Sequence, residues 1–129
     1  ELEGLAAKLA AKHATKEEKT VLQDMVDHDR TIIDDPSALS RANRRFHKQI
    51  HLASHNRFLV QQLDLLHRSM ALMATTSLAV EGRGKVAMDE HQAIVDAIIS
   101  GNQDGAYVAL RDHISTAFVT RLKQDSKAV

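Results

Sequence analysis

Cysteine is absent from the 129-residue chain, which removes disulfides, thiolate metal sites and thiol nucleophiles from consideration. Tryptophan is also missing and aromatic residues reach only 3%, so any core must be built from Leu, Ile, Val, Ala and Met. Neither sign of charge is in excess, because 17 lysines and arginines balance 17 aspartates and glutamates. Without a strong field for phosphates, DNA binding by this stretch itself is not expected, nor is attachment to an anionic membrane. No apolar run approaches the roughly 20 residues that cross a bilayer, and no signal-peptide pattern opens the chain. A cytoplasmic protein with no membrane partner is therefore expected. Strand-like alternation of apolar and polar residues is lacking, and the one proline is Pro36.

What is present is helical patterning and a surplus of histidine. Hydrophobic residues make up 43% and charged residues 26%, ordinary values for one globular domain spanning residues 1–129. Leu2, Leu5, Ala6 and Leu9 follow helical spacing and predict a first helix ending near His13. Thr15 followed by Glu18 reads as a capping box for a second helix that turns Leu22, Met25 and Val26 inward and stops before Pro36. Ser37 is the expected cap of a third helix, running to about Ser54 with an apolar stripe of Leu39, Phe46, Ile50 and Ala53. His55 and Asn56 break the chain before a fourth helix, from about Phe58 to Ala79. Its stretch from Ser69 to Ala74 is apolar nearly all round, as in a helix buried on several sides. Gly82 and Gly84 lead into a fifth helix over about Lys85–Ser100, closed by Gly101 and Asn102, and a sixth covers about Gln103–Lys123. The expectation is an all-α fold, an antiparallel bundle of about six helices. The abrupt start at Glu1, without a cap, suggests a domain of a longer protein.

The eight histidines are scattered along the chain. On the fifth helix His91 lies at the centre of the apolar face, among Ala87, Met88, Ile94, Val95 and Ile98. On the sixth, His113 shares its face with Ala106, Ala109, Leu110, Ala117 and Thr120. His47 borders the stripe of the third helix, one turn after Asn43 and one turn before His51. A single histidine on an apolar face is more often a hydrogen-bonded core residue than a metal ligand. Three such residues, with no rich supply of carboxylates on the same faces, could instead be satisfied together by one metal ion. Spacing alone leaves both readings open. His13, His28, His55 and His67 read as surface or helix-end residues, and His51 as either a supporting contact or a solvated one.

Longer motifs add to this. The segment Asn43-Arg-Arg-Phe-His47-Lys-Gln-Ile-His-Leu-Ala-Ser-His-Asn56 resembles the pattern D-x-x-F-H-x-x-[apolar]-x-x-A-S-x-N. It belongs to the C-terminal ligand-binding domain of FadR-type regulators in the GntR transcription-factor family. Glu90-His91-Gln-Ala-Ile-Val-Asp-Ala-Ile-Ile-Ser-Gly101 is similar to that domain's E-H-x-x-I-x-x-A-I-x-x-G. Ala106 to Ile114 resembles its final A-x-x-x-[apolar]-x-x-H-I stretch, and Leu2 to Ala11 its L-E-x-x-A-A-x-L-A-A opening. The four pieces stand in order over nearly the whole chain.

The resemblance implies a helical bundle with a buried divalent metal, a small carboxylate as effector and a homodimer. It also implies DNA contact only through an upstream winged helix-turn-helix domain that this chain does not include. Carried over by position, the metal ligands are Asn43, His47, His91 and His113. Asn43 departs from the usual aspartate and offers an uncharged amide oxygen. Three imidazoles and one oxygen suit zinc or nickel. Candidate effector contacts are Arg68, Thr75 and Thr120. Their plainer alternatives are a surface pair of Arg68 with Asp64, and hydroxyls bonded back to their own helices. The leading function is thus an effector-sensing and dimerising domain of a transcription regulator, not an enzyme. Two other classes stand beside it: a metal-dependent hydrolase using the three histidines, and a structural helical module. Against the hydrolase, Glu90 points about 100° away from His91 on a helical wheel and no general base is evident.

Overall fold

The computed structural model describes the backbone of residues 1–70 and 77–127. Six helices carry the fold: α1 (Leu2–His13), α2 (Lys16–Asp29), α3 (Pro36–Ala53), α4 (Arg57–Met70), α5 (Arg83–Ile99) and α6 (Gln103–Lys127). Short 3-10 turns at Arg30–Ile32 and Ser77–Ala79 complete it, and no strand occurs among the described residues.

Local chemistry sets the boundaries. The expected capping box at α2 is formed: the Glu18 backbone N–H donates to Thr15 Oγ1 at 3.1 Å, and the Thr15 N–H to Glu18 Oε1 at 2.9 Å. At α3 the cap is Asp35 rather than Ser37. Its carboxylate accepts from the Ala38 N–H at 3.1 Å, and Pro36 then occupies the first helical position, where its missing N–H costs nothing. His55 takes the left-handed conformation (φ 55°) and Asn56 Oδ1 accepts from the Leu59 N–H at 3.0 Å, so the predicted break between α3 and α4 is built by both residues. The expected fourth helix to Ala79 is only partly comparable. Residues 71–76, including Thr75, lie outside the described residues, and Ser77–Ala79 is a 3-10 turn. Gly82, at φ 78°, turns the chain so that α5 begins at Arg83, two residues earlier than expected. The sixth helix extends beyond Lys123 to Lys127.

The main core unites Leu22 and Val26 of α2, Phe46 and Ile50 of α3, Ile94, Val95 and Ile98 of α5, and Leu110 of α6. Leu39, Leu78, Ala87 and Met88 form a smaller cluster at its edge. The inward face of α1 differs from the expectation. Gly4, Ala6, Ala7, Ala10 and Ala11 are buried, whereas Leu2 and Leu5 are 39% and 38% exposed. Small residues win this face because α1 lies close along α6. A Cβ on Gly4 would stand 3.0 Å from the Tyr107 ring and 3.2 Å from its carbonyl oxygen. The same rotation places Glu3, which shares a face with Ala7 and Ala10, toward α3 and α4.

Candidate metal centre

Three helices deliver His47 (α3), His91 (α5) and His113 (α6) to one place. All three are buried, and one ring nitrogen from each lies within 4.8 Å of the others. Ring centroids are 4.7 Å apart for His91–His113, 5.5 Å for His47–His91 and 5.4 Å for His47–His113. Phe46, one residue before His47, stacks on His91 at 4.1 Å with an interplanar angle of 15°, fixing that ring from the α3 side. The core that buries Phe46 and Leu110 thereby also orients the imidazoles.

Each ring has a distinct environment. His113 Nδ1 stands 2.7 Å from Glu90 Oε1, so Nδ1–H donates to the carboxylate and Nε2 keeps its lone pair. That Nε2 lies 3.2 Å from His91 Nε2. With metal–nitrogen bonds of about 2.1 Å, neighbouring nitrogens sit about 3.0 Å apart on an octahedron and about 3.4 Å on a tetrahedron. The observed separation suits either, and a single hydrogen bond shared by the two rings as well. Burial first, then the neighbouring His47 and His113, pushes His91 well below its ordinary pKa. Burial also lowers His113, although Glu90 pulls in the opposite direction. Both rings are therefore held neutral, the state in which imidazole binds a metal.

Carboxylates reach the centre sideways, from beyond the faces on which the histidines lie. Glu90 contacts His113 across the α5–α6 interface, although it is turned away from His91 on its own helix. Burial raises the Glu90 pKa, but contacts with His113 and Arg83 outweigh it and hold the carboxyl ionised. Arg83 is itself buried, with Nη2 2.8 Å from Glu90 Oε1. The approach is off the line of its N–H bonds, and Nε and Nη1 have no hydrogen-bond partner among the described residues. On the other side, Glu3 of α1 stands 3.5 Å from His47 Nδ1. It also receives His51 Nε2 at 3.0 and 3.1 Å and touches His67 Nε2. Burial opposes ionisation of Glu3, but the three histidines together hold it well below the usual carboxylate range. Contact with Glu3 raises His67 in turn, against the effect of its burial.

His51, for which helical phase leaves a supporting contact or a solvated position, is buried on Glu3, and His67, expected at the surface or a helix end, is half-buried on the same carboxylate. Glu3 and Glu90 occupy the acidic positions of the opening and histidine motifs, but those motifs do not assign them to a histidine, and Arg83 carries no sequence signal. Among the other candidates, Asn43 is half-buried on α3, one turn before His47. Arg68 is exposed and lines a cleft of about 390 Å³ with Arg44, Lys48, His51, Asp64 and His67. Asp64 there binds Lys48 at 2.7 Å, in place of the surface pair with Arg68. The Thr120 hydroxyl donates to the Thr116 carbonyl at 2.8 Å, which is the back-bonded alternative. Thr75 lies outside the described residues.

Comparison with known proteins agrees with this architecture. A family model described as "FCD domain" matches residues 1–116. A putative L-lactate dehydrogenase operon regulatory protein of Escherichia coli is 33% identical over 128 residues, covering 96% of this chain and 49% of that protein. The HTH-type transcriptional repressor NanR of Escherichia coli is 28% identical over 120 residues, or 92% of this chain and 46% of the repressor. The chain thus spans about half the length of the curated relatives it matches. The solved structure of E. coli McbR/YncC superimposes with a TM-score of 0.84 at 18% identity, covering 95% of this chain and 63% of that one, a likeness of fold. Bundle, motifs and family match coincide over nearly all of the sequence, and the chain belongs to the FCD domain family.

Proposed function

We propose that this chain is the effector-sensing and dimerising domain of a GntR-type transcription regulator. Its centre takes a divalent transition metal, zinc or nickel, on His47, His91 and His113, with Asn43 as a neutral fourth ligand. The observation that carries this reading is the convergence of three buried imidazoles from three helices, with Nε2 of His113 freed by its bond to Glu90. A metal so held would supply Lewis acidity and a double positive charge for an anion. A small carboxylate is the effector class that fits. The buried Arg83 guanidinium, with Nε and Nη1 unpaired among the described residues, offers N–H donors and a charge to one. Arg83 thus replaces Arg68 as the favoured anion contact, because Arg68 faces solvent.

A regulator is favoured over the hydrolase by the relatives, whose names are those of transcriptional regulators. The carboxylate nearest His113, Glu90, is already engaged by that imidazole and by Arg83, so it is poorly placed to act as a general base. DNA contact would belong to an upstream winged helix-turn-helix domain, as the chain's length relative to its relatives allows. Dimerisation is supported by Phe118, Val119 and Leu122 on α6, which are exposed large apolar residues that a second copy would cover.

Thermal melting of the chelator-treated chain against a panel of metals and small carboxylates tests the reading. Zinc or nickel should raise Tm, and a carboxylate should raise it further in the metal-loaded chain. In Arg83→Lys the carboxylate increment should fall while the metal increment persists. Indifference of Tm to every metal would overturn the proposal, as would hydrolytic turnover by the loaded chain.

A further inference from the structure

We propose that Glu3, His51 and His67 form a second divalent transition-metal site, separate from the three-histidine centre and open to the basic cleft between α3 and α4. Each residue comes from a different helix, α1, α3 and α4, and their ligand atoms all lie within 4.8 Å of one another. Two imidazoles and one carboxylate are a donor set for borderline first-row ions. The placement of the donors is specific. His51 Nε2 is nearly equidistant from both Glu3 oxygens, 3.1 and 3.0 Å, while His67 Nε2 contacts Oε1. The two rings meet edge to face at 5.2 Å. Two imidazoles converging on one carboxylate from different helices are joined by direct contacts, and a divalent ion placed among the same three donors would bridge them instead.

Burial is graded in a way that suits binding from solution. His51 is 1% exposed and the Glu3 side chain 13%, which hold the inner wall, whereas the His67 side chain is 34% exposed and forms the outer one. Beyond His67 and His51 opens the cleft of about 390 Å³, lined also by Arg44, Lys48, Asp64 and Arg68. Three protein ligands leave coordination positions on that side. Arg44 and Arg68 have no ion-pair partner among the described residues, since Asp64 is taken by Lys48. The cleft therefore suits an anionic outer ligand, such as a carboxylate or phosphate oxygen, on the same ion.

Glu3 also links the two centres physically, because its Oε2 lies 3.5 Å from His47 Nδ1. An ion on Glu3 would fix the carboxylate that faces one ligand of the other centre. Nevertheless the second site stands on its own donors, and its occupancy does not require the first.

Cobalt(II) is the probe, because its absorption reports coordination by nitrogen donors. The chelator-treated chain is titrated at micromolar free cobalt, with equilibrium dialysis for stoichiometry and circular dichroism for folding. The chain should bind two equivalents, His67→Ala one fewer than the parent, and His113→Ala also one fewer. The His67 side chain is 34% exposed and alanine favours a helix, so this variant should fold; Glu3→Gln provides the second test of the same site. Should His67→Ala prove unfolded, the cobalt retained by His113→Ala decides: one equivalent supports the site and none overturns it. Equal stoichiometry in parent, His67→Ala and Glu3→Gln refutes the second site while leaving the three-histidine centre standing. Loss of cobalt in His67→Ala with no change in His113→Ala refutes the first centre and supports the second.

Discussion

Replacing Glu90 by glutamine should weaken metal binding at the three-histidine centre without removing a ligand. Glu90 accepts from His113 Nδ1 at 2.7 Å, which fixes the tautomer and leaves Nε2 to face His91 Nε2 at 3.2 Å. Glutamine keeps an acceptor of similar size in the same position but loses the charge that makes the imidazole more basic. It also leaves the buried Arg83 cation without its counter-charge, and a cation so uncovered repels a metal. Both effects act in one direction. Loss of a partner behind a ligating histidine typically lowers metal affinity by about 10- to 100-fold, equivalent to about 1.4–2.8 kcal/mol. Competition against a chromogenic chelator near neutral pH measures the ratio for parent and Glu90→Gln directly. An unchanged affinity would show that His113 needs no orienting carboxylate, and so that the reasoning is wrong. A loss of about four orders of magnitude or more would be equally damaging, because it would make Glu90 a ligand in its own right.

Three further outcomes follow from the same geometry. Asn43→Asp should tighten zinc or nickel by about tenfold or more, since a carboxylate replaces a neutral amide oxygen beside His47; an unchanged titration would remove residue 43 from the ligand set. Gly4→Ala should cost about 1–2 kcal/mol in chemical denaturation, because overpacking against Tyr107 exceeds the helix preference of alanine. The metal-free chain should lose stability as pH falls below 6.5, the ordinary value from which His91 and His113 are lowered, because the unfolded chain takes up protons that the folded chain refuses. His67 is raised and acts in the opposite sense, contributing fully below 6.5 and losing its contribution as pH rises through its folded value. Removing it by His67→Ala should therefore steepen the acid loss of Tm.

Much of the fold was legible because helical order here is written locally. The Thr15–Glu18 box, the break at His55 and Asn56, and the stripe through Phe46 and Ile50 depend on neighbours a few residues away. His91 and His113 were legible for the same reason, as each sits at the centre of an apolar face. The misreadings share a different cause. The burial of α1 follows its close approach to α6, a property of two helices that no single wheel contains. Asp35 displaced Ser37 as a cap because Pro36 already has the backbone angle of a first helical residue. Glu3 and Glu90 were invisible as partners of histidines because long side chains cross an interface, and a wheel describes only the direction in which they leave. The same crossing decides the open choice at His51 for a supporting contact, and brings His67, in the last turn of α4, onto Glu3.

The charges around the two histidine groups give a reason for neutral Asn43. In the three-histidine centre the adjoining carboxylates are already committed, Glu90 to Arg83 and His113, and Glu3 to His51 and His67 as well as His47. Neither is free to cancel a metal's charge from within the first ring of ligands. Four neutral ligands would thus leave the proposed ion with its full double charge in a buried site, which is costly unless an anion enters with it. An aspartate at position 43 would relieve that cost and weaken the attraction for a carboxylate by the same act. Metal and effector affinities should therefore move in opposite directions at this one residue. In Asn43→Asp, tighter zinc accompanied by tighter carboxylate would contradict the electrostatic account, even if both ligands bind where proposed.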